Sequence, residues 1–292
     1  MSEINIPAPA TLYNRTARSS MRYTIGILTA SLFICACTTV QHAAGRPSAT
    51  GAPGSELRVG IATNYPPMAF KQDGQIKGIE AEFANQLGTD LGVKIVLVET
   101  PWDDLIPALR DHRIDVIMSG MSITEARKEL VSFTDPYLKV GQMALIRRAD
   151  QQRFRKLTKE NLSTINVGVV RGTTGEVYAR TNLPSAKVTA FDSVDAGVAA
   201  LRKGEIDAFV HDAPAIWRIT GGFDSQEREL IGRYRPLTEE YLAWAVRKGD
   251  GEPLRQRLNE TLARWKANGQ IDAVLDHWIR VRKTTIQVRP VQ

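Results

Sequence analysis

Residues 102–142 read WDDLIPALRDHRIDVIMSGMSITEARKELVSFTDPYLKVGQ. Leu105, Ile106 and Leu109 fall on one side of a short helix. DVIM, residues 115–118, follows as a buried-strand candidate. That strand runs into SGMSITEAR, residues 119–127, a loop carrying Ser119, Gly120 and Ser122 with exposed backbone. Thr124 fits a helix N-cap ahead of Glu125. Arg127 either presents its planar fork to a carboxylate or is the solvated arginine of a capped surface helix.

Upstream, LRVGIA at 57–62 reads as an apolar strand ended by Pro66-Pro67. Ile79, Phe83, Leu87 and Leu91 recur every four residues and mark an amphipathic helix, and residues 93–98 form a β-branched strand. Strand–helix–strand alternation predicts βαβ units and a largely parallel sheet. Downstream the pattern restarts, with strands at 166–170, 187–191 and 207–210 and helices at 175–180, 194–203 and 213–219. The fold class is therefore α/β in two lobes, the second beginning near residue 150. A strand at 242–246 and helices at 253–267 and 271–281 complete the body, with Asn268-Gly269 as the break between the helices. Residues 283–292 read as a loose tail.

The 292 residues are 43% hydrophobic and 24% charged, which excludes wholesale disorder and a multi-span membrane protein. The net charge of +6 is scattered, with no Lys/Arg run to track a phosphate backbone, so no nucleic-acid partner is expected. The two cysteines, Cys35 and Cys37, both lie in the N-terminal apolar stretch. Met21-Arg22 and the apolar run 25–34 have the form of a secretory signal. Ile34-Cys35-Ala36-Cys37 resembles a bacterial lipobox in which Cys37 becomes lipidated, with plain cleavage near Ala43-Ala44 as the alternative. The expected organisation is 1–37 signal peptide with an upstream extension, 38–55 flexible tether, then the folded body. The expected place is the periplasm or cell envelope, anchored to a membrane by lipid.

No H-E-x-x-H, G-x-S-x-G or phosphate-binding loop occurs, and the four histidines are far apart with no cysteine near them in the body. No catalytic residue, cofactor or metal is expected. What remains are polar clusters at strand ends, where open α/β sheets bind ligands. VRGTTGE at 170–176 is either an anion-receiving helix start bearing Thr174 or an ordinary capped turn. DAFVHDAP at 207–214 places Asp212 just past an apolar strand, either to receive an ammonium or to cap the helix that Pro214 opens. His211 reads as packed or capping. Tyr65 and Trp102 sit at strand exits, where they are either core or walls for a small ligand.

In order and spacing these pieces resemble the family 3 extracellular solute-binding proteins, the polar amino-acid receptors of ABC importers. The resemblance covers about residues 57–281 and is carried by 102–142, YPPMAF (65–70), GIEAEFANQLG (78–88), VGVVRGTTGEVYA (167–179) and GEIDAFVHDAP (204–214). It implies a type II periplasmic-binding-protein clamp. Lobe one would be 56–146 plus 241–282, lobe two 147–240, with hinge crossings near 146–148 and 238–242. It further implies that Arg127, Ser122 and the backbone at Gly120 hold a ligand α-carboxylate, joined by Thr174. Ser119 belongs to the same loop of candidate contacts, Asp212 would take the α-ammonium, and Tyr65 and Trp102 would stack around the ligand. The implied partners are a small-molecule amino acid and an inner-membrane ABC permease, and the implied state is a monomer. Ala62 stands where basic-ligand relatives often carry an acid, which argues against Lys or Arg as ligand. Two other readings remain. One is a cyclohexadienyl dehydratase-like enzyme, for which Arg171 and Glu176 are the candidate extra cation and acid. The other is a sensory binding module.

Overall fold

The computed structural model describes residues 52, 54–155, 159–221, 227–233 and 235–279. The expected signal segment, the lipobox with Cys37, most of the tether and the tail lie outside the described residues. The first half of the body contains β1 (Glu56–Ile61), β2 (Asn64–Tyr65), β3 (Ala69–Gln72), β4 (Gln75–Lys77), α1 (Ile79–Leu91), β5 (Lys94–Glu99), α2 (Leu105–Arg110), β6 (Val116–Ile117), α3 (Glu125–Lys128), β7 (Ser132–Phe133), β8 (Leu138–Val140) and β9 (Gln142–Arg147). The second half contains α4 (Lys159–Leu162), β10 (Asn166–Val170), α5 (Thr174–Asn182), β11 (Lys187–Phe191), α6 (Val194–Lys203), β12 (Ala208–Asp212), α7 (Ala213–Thr220), β13 (Leu230–Arg233), β14 (Glu240–Leu242), β15 (Ala245–Val246), α8 (Glu252–Ala267) and α9 (Gln270–Ile279).

Two five-stranded sheets follow one plan. The first has the order β5-β1-β6-β15-β7, and the second β11-β10-β12-β9-β13. In each, the first strand of the βαβ series lies between the second and third and runs parallel to both. One antiparallel strand follows, β15 or β9, and an outer strand paired antiparallel to it, β7 or β13, completes each sheet. The strand order therefore reverses beside β1 and again beside β10. Such a reversal parts the following loops at the carboxyl ends of the strands and leaves a crevice there.

The chain passes between the sheets earlier than the sequence suggests. β9, expected in the first lobe up to residue 146, pairs with β12 and β13 in the second sheet. Its apolar run is buried along almost its whole length, and such a run does not reveal which sheet it joins. The crossing is at Gly141, where an added Cβ would stand 2.2 Å from the Thr238 carbonyl oxygen. Only glycine lets the outgoing and returning segments pass this closely. The expected strand at 242–246 is also two pieces. β14 pairs with β8 in a two-stranded ribbon between the sheets, whereas β15 enters the first sheet. The break lies at Ala243-Trp244, and the Trp244 ring turns into the core.

That core packs α1, α8 and α9 against the first sheet. Phe83 stacks on Trp265 at 5.6 Å between ring centroids, and Trp244 meets Trp265 edge-on at 6.0 Å. Each such pair contributes about 0.5–1.5 kcal/mol beyond its buried area. Glu80 is fully buried among these rings and accepts from Trp244 Nε1 at 3.0 Å, Tyr137 Oη at 2.6 Å and the Gly120 N–H at 2.5 Å. Burial pushes its pKa up to about 7 despite these three donors. Through Gly120 this carboxyl ties the aromatic core to the loop after β6.

In the second lobe, α6 is capped by Ser193, whose hydroxyl accepts from the Ala196 N–H. Its Gly197 lies on Phe209, and an added Cβ would be 2.2 Å from Phe209 Cε2. Helix propensity alone would make Gly197→Ala stabilising by about 1 kcal/mol. The fully buried ring cannot yield that space cheaply, so Gly197→Ala is expected to destabilise the protein by about 1–3 kcal/mol in urea unfolding. A stabilised variant would show that this packing is not tight.

Candidate functional site

The carboxyl ends of β1, β6, β10 and β12 converge on a narrow, partly enclosed cavity of about 30 Å³. Its lining includes Tyr65, Trp102, Gly120, Ser122, Arg127, Thr174 and Asp212, seven of the eight residues expected from the sequence. The eighth, Ser119, is not in the wall. It is buried, and its Oγ accepts from the Ala62 N–H at 3.0 Å, tying the end of β6 to the end of β1. Ala62 likewise lies outside the lining.

Arg127 reaches the cavity because of its cap. The Thr124 side chain accepts from the Arg127 N–H and starts α3 in an orientation that turns the guanidinium toward the second lobe. Arg127 Nη1 donates to the Ser122 carbonyl at 2.8 Å and Nη2 to the Gly172 carbonyl at 3.3 Å. Its Cζ lies 5.2 Å from the centre of the Trp102 ring, a cation–π distance. Burial lowers the Arg127 pKa, opposed by Asp212 and Glu240, and arginine remains charged at any ordinary pH. Gly120 sits at φ 64°, and an added Cβ would stand 2.9 Å from Tyr65 Cε1, so the loop both requires glycine and closes on that ring.

Asp212 ends β12 and is buried. Tyr65 Oη donates to its Oδ2 at 2.5 Å, and Gln142 Nε2 donates to its Oδ1. Burial pushes the Asp212 pKa up to about 7 and nearby Glu240 adds to the rise, while Tyr65, Gln142 and Arg127 oppose it. Gln142 Nε2 also contacts Thr174 Oγ1 at 3.0 Å and Glu240 Oε1 at 3.1 Å. The two carboxylates favour the amide nitrogen on their side, since an amide oxygen there would face two acceptors. The cost is that Gln142 Oε1 is buried without a partner, worth about 1–3 kcal/mol. His211 Nδ1 accepts from the Asp212 N–H at 2.7 Å, and burial lowers its pKa to about 4, so the ring is neutral near pH 7.

The Tyr65 and His211 rings meet across the lobes here at 4.9 Å between centroids, and among the described residues hydrogen bonds also link the two walls. These include Tyr65 to Asp212, Trp102 Nε1 to the Gly172 carbonyl at 3.0 Å, Arg127 to the same carbonyl, and Asn64 Nδ2 to the Asp192 carbonyl at 3.1 Å. The cavity is also lined by Asn64, Val170, Thr173, Val194 and His211. Of these, the sequence marks His211 only as packed or capping and places Val170 and Thr173 in the VRGTTGE turn without a contact role, while Asn64 and Val194 carry no chemical signature. Gln142 and Glu240 were also missed, since both lie on the segments that cross between lobes. The two candidates for dehydratase chemistry are not in the wall. Arg171 is exposed and donates to Asp192, while Glu176 accepts from the Gly172 N–H and from Arg180. Among the described residues no group of three or more His, Cys, Asp or Glu could hold a metal ion, and no helix is long and apolar enough to cross a membrane.

Residues 57–281 match the model of the bacterial extracellular solute-binding proteins, family 3. The chain is 31% identical over 223 residues to the L-cystine-binding protein of Escherichia coli K12, covering 76% of this chain and 82% of the relative. It is 31% identical over 241 residues to the L-arginine-binding protein of Pseudomonas aeruginosa, covering 78% and 90%. Among solved structures, an ancestral amino-acid-binding protein described as a precursor of cyclohexadienyl dehydratase superposes with a TM-score of 0.70 at 34% identity. That match covers 77% of this chain and 95% of the other. A binding component of an ABC transporter from Wolinella succinogenes, complexed with lysine, gives a TM-score of 0.71 at 30% identity, covering 78% and 97%. The fold is thus the two-lobe type II periplasmic binding fold, and these curated relatives are named as binding proteins, not enzymes. With a crevice built at both strand-order reversals and a family match over the whole described body, the chain belongs to the bacterial extracellular solute-binding proteins, family 3, and is a binding protein rather than an enzyme.

Proposed function

We propose that this protein binds an amino acid outside the cytoplasm and delivers it to an ABC importer permease in the inner membrane. The observation that carries the reading is that Arg127 and Asp212, from opposite lobes, line one cavity. A zwitterion taken out of water must be paired at both ends, or desolvation exceeds the attraction. Arg127, with Ser122 and the Gly120 backbone, would hold the α-carboxylate, and Thr174 would join them from lobe two. Asp212 would hold the α-ammonium, and Tyr65 and Trp102 would flank the ligand. The names of the amino-acid-binding relatives support the same class of ligand.

Among the described residues of the lining, the charged groups are Arg127 and Asp212. The wall left for the ligand's side chain is neutral, which favours an uncharged side chain. The lobes would close about the ligand by bending at the β8–β14 ribbon and the Gly141 crossing, so that binding selects the closed form. One chain supplies both halves of the cavity, and the acting form is read as a monomer. The N-terminal segment fits secretion followed by lipid anchoring at Cys37.

Calorimetry of the full chain against the twenty amino acids tests this reading. At least one with a neutral side chain is expected to bind well below millimolar. Arg127→Ala should weaken that binding by about 3–5 kcal/mol, because it strands a buried carboxylate. Unchanged affinity in Arg127→Ala would sink the assignment. Affinity should also depend on pH. An ammonium pairs only with ionised Asp212, whose pKa is pushed up to about 7 in the free protein. Affinity is therefore expected to be flat just above pH 7 and to fall as pH drops below it, approaching about tenfold per unit. A profile flat from pH 8 to 5 would contradict Asp212 as the ammonium partner.

A further inference from the structure

Glu240 lies on β14, in the ribbon between the lobes, outside the cavity wall. Side chains alternate along a strand, and the neighbours of Glu240 face outward. Glu239 pairs with Lys139 at 2.8 Å and accepts from Tyr241 Oη at 2.9 Å, both on the exposed side. Glu240 turns the other way. Its Oε2 accepts from Ser122 Oγ at 2.8 Å, and its Oε1 accepts from Thr238 Oγ1 at 2.7 Å and from Gln142 Nε2 at 3.1 Å. The backbone reinforces this placement, because the Ile123 N–H donates to the Tyr241 carbonyl at 2.8 Å and Ser122 bridges to Leu242. Among the described residues, no cation is ion-paired to Glu240. An inward carboxylate held by hydroxyls and one amide, without a cation, is an uncommon use of a charge if its task is only to hold the hinge.

We propose that Glu240 is a positioning residue of the candidate ammonium site: from the crossing strand it orients the Gln142 amide on Asp212 and places a second negative charge beside that carboxylate. The groups facing this cluster are Asp212, Tyr65, His211 and Arg127 from the cavity wall, with Tyr137 behind them. The charge of Glu240 acts on Tyr65, Arg127 and Asp212 alike. His211 is neutral near pH 7 and offers no compensating charge. One side chain therefore touches the loop of the first lobe through Ser122 and the second lobe through Gln142, while standing on the segment that joins them. What the site receives rests on the amino-acid reading above, but the coupling of Glu240 to Asp212 belongs to the protein alone.

The test uses the full chain labelled with ¹³C at aspartate carboxyls, with the Asp212 signal assigned by its loss in Asp212→Asn. In Glu240→Gln the neighbouring charge is gone, so the Asp212 titration midpoint should fall by about half a unit or more. A purely structural Glu240 would leave that midpoint where it is, and an unchanged midpoint in a folded Glu240→Gln overturns the proposal. In Glu240→Ala the Gln142 side-chain amide loses an acceptor, and its protons should exchange with water faster. Unaltered protection there would count against the orienting role. Neither measurement needs a ligand. Failure of all twenty amino acids to bind would remove the functional reading and leave this coupling measured, whereas an unmoved midpoint would remove the coupling and leave the amino-acid reading standing.

Discussion

A carboxylate buried between two lobes governs this structure. Asp212 has lost its water, and an unpaired charge in such a place costs several kcal/mol. The replacements come from different parts of the chain: the Tyr65 hydroxyl from the first lobe and the Gln142 amide from the strand that has just crossed. Satisfying one group therefore ties the two sheets to each other. Arg127 plays the complementary part from the first lobe, its guanidinium laid against Trp102 and reaching the Gly172 carbonyl across the cleft. Opposite charges are thus presented to one cavity by opposite lobes.

Less visible parts support this arrangement. Glu80, deep in the first lobe, receives the Gly120 N–H while binding the rings of Tyr137 and Trp244. The loop that leads to Ser122 and Arg127 is thereby set by the aromatic core rather than left to solvent. On the other side of that loop β14 runs alongside, so the crossing segment and the site are in direct contact. Gly141 allows the two crossings to pass without a side chain between them. The residues at the two crossings are therefore also bonded to the groups behind the cavity.

Much of this was legible in the order of residues. The βαβ alternation, the Thr124 cap before Arg127, the hydroxyl-rich loop after β6 and the placement of Asp212 at the end of β12 are local patterns, and the structure has them at those positions. Candidate contacts found at strand ends line the cavity for the same reason, since parallel strands in a sheet deliver their carboxyl ends to one edge. Ser119 shows where the pattern misleads. It lies in the same loop as its neighbours Gly120 and Ser122, yet its hydroxyl is taken up by the Ala62 N–H beneath the wall.

What sequence alone determined was the pair of α/β lobes, the family, and the identity of the opposed Arg127 and Asp212, because each depends on hydrophobic period, caps and motifs within a few tens of residues. Tertiary structure decided which sheet receives β9, that the strand expected at 242–246 is broken at Trp244, and that Gln142 and Glu240 stand behind Asp212. Those outcomes rest on pairings between residues 62 to 130 positions apart, from Ile146 with Ala208 to Val116 with Val246. A buried strand carries no mark of its partner, and a lone Gln or Glu shows its chemistry only through the groups that folding brings beside it.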